Sequence, residues 1–406
     1  MEINGQCDPK FERVREEFER NFKEREEVGA SVCVAIEGEN VVDLWGGTTD
    51  IETGKTWEKD TVIVVFSSTK GATAFCAHIL SYRGLLDINE PVVKYWSEFG
   101  KAGKEKITVK MLLNHQSGLA HVRKSLPHGA YFDWDLMVRA FEDQEPFWEP
   151  GTRHGYHFVS FGWLVGEVIR RISGKSVGAF FQEEIAEPLG LDFWIGLPEE
   201  IEPRVAKLIV RDLQKTAEID SSFMKAAFSN PDSIQGLCMM NNGGSFEIGL
   251  DAREAHAAEL PGSGGITNAR GLAGMYAPLA CGGGLKGIDF VDADTLARMS
   301  AVSSASSQDI TLLIPLRIAL GFWKSIDNRK QPSGYQDSMI LSEKAFGHPG
   351  AGGSIGFADP EERMSFGYAM NNMGIELGLT PRGQSLVDAV YLSLGYRSND
   401  SGFWLR

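Results

Sequence analysis

Strand-type runs lie at both ends of this chain, and helical periodicity fills the stretch between them. A chain so ordered has few ways to bury its strands. Residues 31–36, Ser-Val-Cys-Val-Ala-Ile, form an apolar strand, Glu37-Gly38-Glu39-Asn40 supplies a turn, and Val41 to Trp45 returns as the second arm of a hairpin. Late in the chain, strands are expected at about 316–325, 353–359 and 363–371. The last two are joined by the turn Asp359-Pro360-Glu361-Glu362. One sheet drawing strands from both termini, with a helical segment inserted between them, accommodates this order.

The helices follow from spacing. Phe11, Val14, Phe18 and Phe22 recur at steps of three and four within 9–28, the stripe of a helix laid on a core. Its polar face mixes Glu with Lys and Arg, which argues for packing over membrane-surface binding. Thr61 to Phe66 is a short apolar stretch, after which Ser67 opens a helix running through Leu80. From 85 to 255 the pattern is mostly helical, clearest at Met111 to Leu113, 134–142 and 159–173, the last closed by Ser173-Gly174. The stretch 228–250 is rich in Asn, Gly and Ser and reads as a long loop. Further helices are expected at 267–280, before the turn Cys281-Gly282-Gly283-Gly284, and at 381–394. The expectation is an α+β fold: a central antiparallel sheet flanked by helices, plus an inserted, mostly helical lobe. Residues 1–84 and 256–406 make the discontinuous sheet domain and 85–255 the lobe, with a cleft between them as the expected site. With 406 residues, 43% of them hydrophobic, the chain has ample material for such a two-lobed core.

The strongest chemical signal is Ser67-Ser68-Thr69-Lys70. At a helix start, residues three apart lie on one face. A serine hydroxyl is a poor nucleophile until a neighbour takes its proton, and a lysine amine does so once desolvation has depressed its pKa. The helix N-terminus adds positive potential, favouring the neutral amine and a developing oxyanion. The tetrapeptide alone is weak evidence, since Ser222-Phe223-Met224-Lys225 matches it too. That second copy has no strand-type run before it and reads as a solvated helix face. The first is followed by Lys110-Met111-Leu112-Leu113-Asn114-His115-Gln116-Ser117-Gly118-Leu119, by Glu149-Pro150-Gly151-Thr152-Arg153-His154-Gly155-Tyr156, and by Ser160-Phe161-Gly162-Trp163. Phe346-Gly347-His348-Pro349-Gly350-Ala351-Gly352-Gly353 comes late in the chain.

In this order and spacing the blocks resemble the β-lactamase/D,D-peptidase superfamily, nearest its class C-like branch and the family VIII carboxylesterases, over roughly residues 25–395. The resemblance implies that Ser67 is the acylated serine, Lys70 its lysine partner and Tyr156 the tyrosine of the Y-x-N block. It implies that His348-Pro349-Gly350 stands in for K-T-G, with His348, Gly350 and Phe158 on the substrate side. The backbone N–H groups of Ser67 and Ala351 then form the oxyanion hole. Two departures carry weight. Phe158 replaces the family's Asn and offers apolar surface in place of an amide. His348 replaces Lys and removes a permanent cation. Both changes suit a neutral, apolar ester of short to medium acyl chain better than an anionic lactam. The alternatives are a β-lactamase or D-aminopeptidase-like amidase, an acyltransferase to an alcohol acceptor, and a catalytically silent scaffold of the same fold.

Other motifs point elsewhere and fail on context. Gly352-Gly353-Ser354-Ile355-Gly356 matches the nucleophile elbow of α/β-hydrolases, but no histidine follows Ser354 and the motif leads into a strand. Gly54-Lys55-Thr56 lacks the upstream glycine of a phosphate loop, Thr49 standing there, and reads as a hairpin turn. His154 and His157 lack the carboxylate spacing of a metal site; His115 is expected to brace its own loop. No cofactor and no metal is expected. A net charge of −15 disfavours nucleic acid and anionic membranes as partners, leaving a small-molecule ester. Five scattered cysteines without C-x-x-C argue against a disulfide framework, and the N-terminal residues lack a basic-then-apolar leader pattern. A cytoplasmic location is the expectation, and a homo-oligomer is compatible with the sequence.

Overall fold

In the computed structural model, which describes residues 2–210, 221–330 and 337–406, the two ends of the chain meet at one antiparallel seam. Strand β2 (Gly29–Ile36) lies beside β15 (Met364–Met370), with Val34 opposite Phe366 and Val32 opposite Tyr368. Outward on one side come β3 (Glu39–Asp50) and β1 (Ile3–Cys7), with the short β4 (Lys55–Thr56) also on β3. On the other side come β14 (Ile355–Asp359), β13 (Phe346–Pro349), β12 (Trp323–Lys324), β11 (Leu316–Ile318) and β10 (Ser304–Ser306). The fold is α+β, a large antiparallel sheet flanked by helices, with a mostly helical stretch inserted between its N- and C-terminal strands.

The period-two alternation of β2 explains both covering layers. Val32 and Val34 point into a core shared with Phe18 of the Glu12–Glu24 helix and Val387 of the Pro381–Ser393 helix. Cys33 points the other way, onto Ala269 and Ala273 of the Ala269–Ala280 helix. Small residues on both sides let that helix sit unusually close to the sheet. A Cβ on Gly367 would lie 2.1 Å from the Ala269 carbonyl oxygen, and one on Gly356 would lie 2.7 Å from the Tyr276 ring.

The insertion is tied to the rest by a separate three-stranded sheet. Strand β7 (Gly265–Thr267) pairs on one edge with β5 (Ile63–Val64) and on the other with β6 (Phe193–Ile195). Beside it runs the Thr69–Tyr82 helix, buried continuously from Thr69 to Leu80, as a helix at the centre of a large fold must be. Strands β8 (Gly284–Leu285) and β9 (Ile288–Asp289) form a small hairpin.

Three expectations change. The stretch 316–325 is not one strand but the hairpin β11–β12, because Gly321 takes a left-handed φ of 90°. The stretch 228–250 is not a long loop: it holds the Ile234–Met240 and Ser245–Ile248 helices, and Ser233 caps the former by accepting from the Gly236 N–H. Polar residues that suggested a loop are there as caps. Strand β1 was not expected; its middle residues are exposed, so no apolar alternation marks it. The inserted stretch also includes residues 211–220, which lie outside the described residues.

Gly367→Ala should destabilise the protein by about 1–3 kcal/mol or more through overpacking of the helix on the sheet, read as a lower urea midpoint.

Candidate active site

Ser67 sits at the end of a strained step. Phe66, just before it, has a φ of +44°, a left-handed conformation that costs a non-glycine residue about 1–3 kcal/mol. Ser68 then takes the N-cap position of the Thr69–Tyr82 helix. Two threonines fix the register of that helix. Thr69 Oγ1 accepts from the Gly265 N–H at 2.8 Å, and Thr73 Oγ1 donates to the Pro261 carbonyl at 2.7 Å. Ser67 is left partly exposed while Lys70, one turn on, is fully buried.

The Lys70 amine touches three oxygens: Ser67 Oγ at 3.0 Å and the carbonyls of Phe158 and Gly262, each at 2.7 Å. Burial pushes its pKa well below the ordinary lysine range. A neutral amine has two N–H bonds and one lone pair. With the two N–H groups given to the backbone carbonyls, the lone pair faces the Ser67 hydroxyl.

Tyr156 completes the group. Its phenol is near enough to the Ser67 side chain to interact with it, and its ring lies 4.9 Å from the Lys70 nitrogen. Burial raises the phenol's pKa, so it stays protonated. On its other side the hydroxyl lies 3.3 Å from His348 Nε2. His348 donates Nδ1–H to the Pro349 carbonyl at 2.7 Å, which leaves Nε2 as an acceptor. Burial, and Lys70 nearby, hold this imidazole well below its usual pKa. His348 is therefore a neutral acceptor for the phenol and lacks the cation that a lysine would bring.

The Tyr156 backbone is anchored by a carboxylate that the motif comparison does not reveal. Asp309, fully buried, accepts from the Tyr156 N–H at 2.8 Å and from the N–H groups of Thr311 and Leu312 at 2.8 and 2.6 Å. His154 Nε2 lies 3.1 Å from the same carboxylate. His157 belongs to a neighbouring brace: its Nδ1 is 2.9 Å from His115 Nδ1 and its Nε2 is 2.8 Å from Ser117 Oγ. Burial keeps His115 and His157 neutral, His157 down to about 3. Both rings are engaged in the loop that carries Tyr156.

The loop bearing Ala351 is drawn against Ser67 by close backbone approach. A Cβ on Gly350 would lie 2.2 Å from the Val65 carbonyl oxygen, and Ser354 Oγ donates to that oxygen at 3.0 Å. Ser354 is thus a buried tether, and its motif continues into β14. Among the described residues, neither the Ser67 nor the Ala351 N–H is spent on a hydrogen bond. The second Ser-x-x-Lys lies apart, Ser222 and Lys225 being exposed. Phe223 between them stacks on Phe158 with ring centroids 5.8 Å apart. Gly54 and Lys55 form a turn into β4.

A protein-family model described as Beta-lactamase matches residues 16–385. The chain belongs to the beta-lactamase family. Within it, the chain is 33% identical over 389 residues to the Esterase/beta-lactamase LipL of Mycobacterium tuberculosis, covering 93% of this chain and 85% of that one. A family VIII carboxylesterase of known structure is 39% identical with a TM-score of 0.85, covering 97% of this chain and all of the other. A penicillin-binding protein homologue from Caulobacter crescentus is 33% identical with a TM-score of 0.83, again covering 97% of this chain and all of the other. Among the described residues of this beta-lactamase-family chain, no helix is long and apolar enough to cross a membrane.

Sequence reasoning missed the Phe158 and Gly262 carbonyls, since backbone atoms leave no residue-type signal, and it missed Asp309. The run Pro261-Gly262-Ser263-Gly264-Gly265 was the available hint of close backbone approach. Asp309→Ala should strand three buried N–H donors and cost at least roughly 3 kcal/mol in urea unfolding. A loss below about 1 kcal/mol would show that the loop is held otherwise.

Proposed function

We propose that this chain is a serine carboxylesterase working through an acyl-enzyme on Ser67, in a cleft between the sheet domain (1–84 and 256–406) and the inserted lobe (85–255). The observation that carries this reading is the 3.0 Å approach of Lys70 Nζ to Ser67 Oγ, with the amine's remaining hydrogens held by two carbonyls. Lys70 takes the proton as Ser67 attacks the ester carbonyl. The oxyanion lies between the N–H groups of Ser67 and Ala351. Tyr156, a neutral phenol, passes a proton to the departing alkoxide and is resupplied from the Lys70 side, while His348 Nε2 holds its hydroxyl in place. The alcohol leaves, the acyl group stays on Ser67, and water attacks by the same relay in reverse to release the acid.

The esterase named in the Mycobacterium tuberculosis relative and the family VIII carboxylesterase support this assignment. The neutral His348 supports ester over lactam, since it offers no fixed charge for a lactam carboxylate. Lactam opening is the second reading, favoured by the other half of the LipL name.

Ser67→Ala should abolish turnover, and Lys70→Ala and Tyr156→Phe should each lower kcat on the order of 10²-fold or more. Side-by-side assays with p-nitrophenyl butyrate and a chromogenic cephalosporin separate the readings. Fast ester cleavage with slow lactam opening supports esterase, and the reverse order rejects it. Since the neutral amine is the active form and burial lowers its pKa, kcat/KM should rise with pH and level off well below 10.5. A profile still climbing at pH 10 would mean that Lys70 titrates as an ordinary lysine.

A further inference from the structure

Two successive peptide units near Tyr156 are gripped at both ends. The Ile310–Thr311 unit gives its N–H to Asp309 Oδ1 at 2.8 Å, and its carbonyl accepts from Gln235 Nε2 at 2.7 Å. The Thr311–Leu312 unit repeats the pattern, its N–H 2.6 Å from Asp309 Oδ1 and its carbonyl 2.8 Å from the same Gln235 nitrogen. Carbonyl oxygens only accept, so the Gln235 amide must turn its nitrogen toward them, and both of its N–H bonds are occupied. A carboxylate at the N–H end and an amide donor at the C=O end polarise each peptide in the same sense, so the bonds reinforce one another. Asp309 carries the constraint onward by accepting the Tyr156 N–H at 2.8 Å. A second tie, from the Ile310 N–H to the His154 carbonyl at 3.2 Å, joins the same loop to the segment bearing Tyr156.

Gln235 is firmly placed for this. It is buried in the first turn of the Ile234–Met240 helix, and a Cβ on the adjacent Gly236 would lie 2.4 Å from the Asn230 carbonyl oxygen. The preceding helix, Ser222–Ser229, stacks Phe223 on Phe158, whose carbonyl holds Lys70. The helix pair therefore bears on the supports of both Lys70 and Tyr156.

Resting on the esterase reading, we infer that Gln235 is a positioning residue: by fixing these two peptides it sets where the Tyr156 hydroxyl meets the departing alkoxide. Without its amide the Ile310 and Thr311 carbonyls are left bare, the peptides are free to turn, and the Asp309 carboxylate moves with them. The step at stake breaks the ester C–O bond. The bonding pair leaves on the alcohol oxygen, the Tyr156 proton joins that oxygen, and Lys70, protonated by Ser67, returns a proton to the phenolate. An alkyl alkoxide is a strong base and needs that proton in order to leave. A p-nitrophenolate is a weak base and leaves without it. A small displacement of the phenol therefore slows alkyl esters far more than p-nitrophenyl esters of the same acid.

The test is kcat/KM, which reports acylation, for ethyl butyrate and p-nitrophenyl butyrate on the full chain, in wild type, Gln235→Met, Gln235→Glu and Tyr156→Phe. Methionine keeps the side-chain length without a donor; glutamate keeps the shape and puts oxygen where the nitrogen stood. The ratio of the two esters within one protein cancels any loss of folded enzyme. In a Gln235 variant that melts cooperatively, the ethyl to p-nitrophenyl ratio should fall about tenfold or more, and in Tyr156→Phe further still. Equal loss on both esters, or loss of the fold in both Gln235 variants, would make Gln235 a structural residue. If the ratio falls in Tyr156→Phe alone, the inference is overturned while the esterase reading stands. If Tyr156→Phe also keeps the wild-type ratio, the phenol is not the proton donor and that step of the esterase reading falls with the inference. If wild-type protein cleaves neither ester, both fall together.

Discussion

The site depends on an amine kept dry. Among the described residues the Lys70 amine meets no carboxylate; its nitrogen is lodged between two carbonyl oxygens contributed by segments far apart in the chain, Phe158 and Gly262. Desolvation of this kind makes the charged form expensive and draws the amine's pKa well below the ordinary lysine range. Much of the surrounding architecture serves to hold those carbonyls. The Ser160–Ser173 helix begins just after Phe158 and comes so close to the 261–265 segment that a Cβ on Gly162 would lie 2.4 Å from the Gly262 nitrogen. Thr69 and Thr73 bind the same segment to the serine-bearing helix.

Around the amine, charge is conspicuously scarce. Four imidazoles lie near Tyr156, and His115, His157 and His348 are all depressed by burial into the neutral form. Each has its tautomer or orientation fixed by a neighbour, as His348 has by the Pro349 carbonyl. The buried Asp309 carboxylate is surrounded by N–H donors, so its charge is dispersed into the loop it organises. The result is a polar but largely uncharged setting for Ser67, a better match for a neutral ester than for an anion.

What could be read from the sequence was what side-chain type and spacing encode. Ser67, Lys70 and Tyr156 stood out because a hydroxyl, an amine and a phenol are chemically distinct and sit in recognisable blocks. The two-ended sheet was legible because period-two runs such as Val32 to Val34 survive burial on both faces. The β11–β12 hairpin was hidden because its turn, Ala319 to Phe322, is as buried and apolar as a strand. The carbonyls around Lys70 were hidden for a different reason: they arise from tertiary approach, which no local pattern records.

The seam between β2 and β15 has a consequence for how the protein is made. Until the last stretch leaves the ribosome, the β2 edge has no neighbour on that side, and the apolar side chains of the N-terminal hairpin stay uncovered on the face later shared with the Pro381–Ser393 helix. At cellular elongation rates that wait lasts on the order of tens of seconds. An unpaired strand edge is a template for wrong partners throughout such an interval. Demand for chaperones during synthesis, and sensitivity to truncation near the C-terminus, are built into the order of the strands.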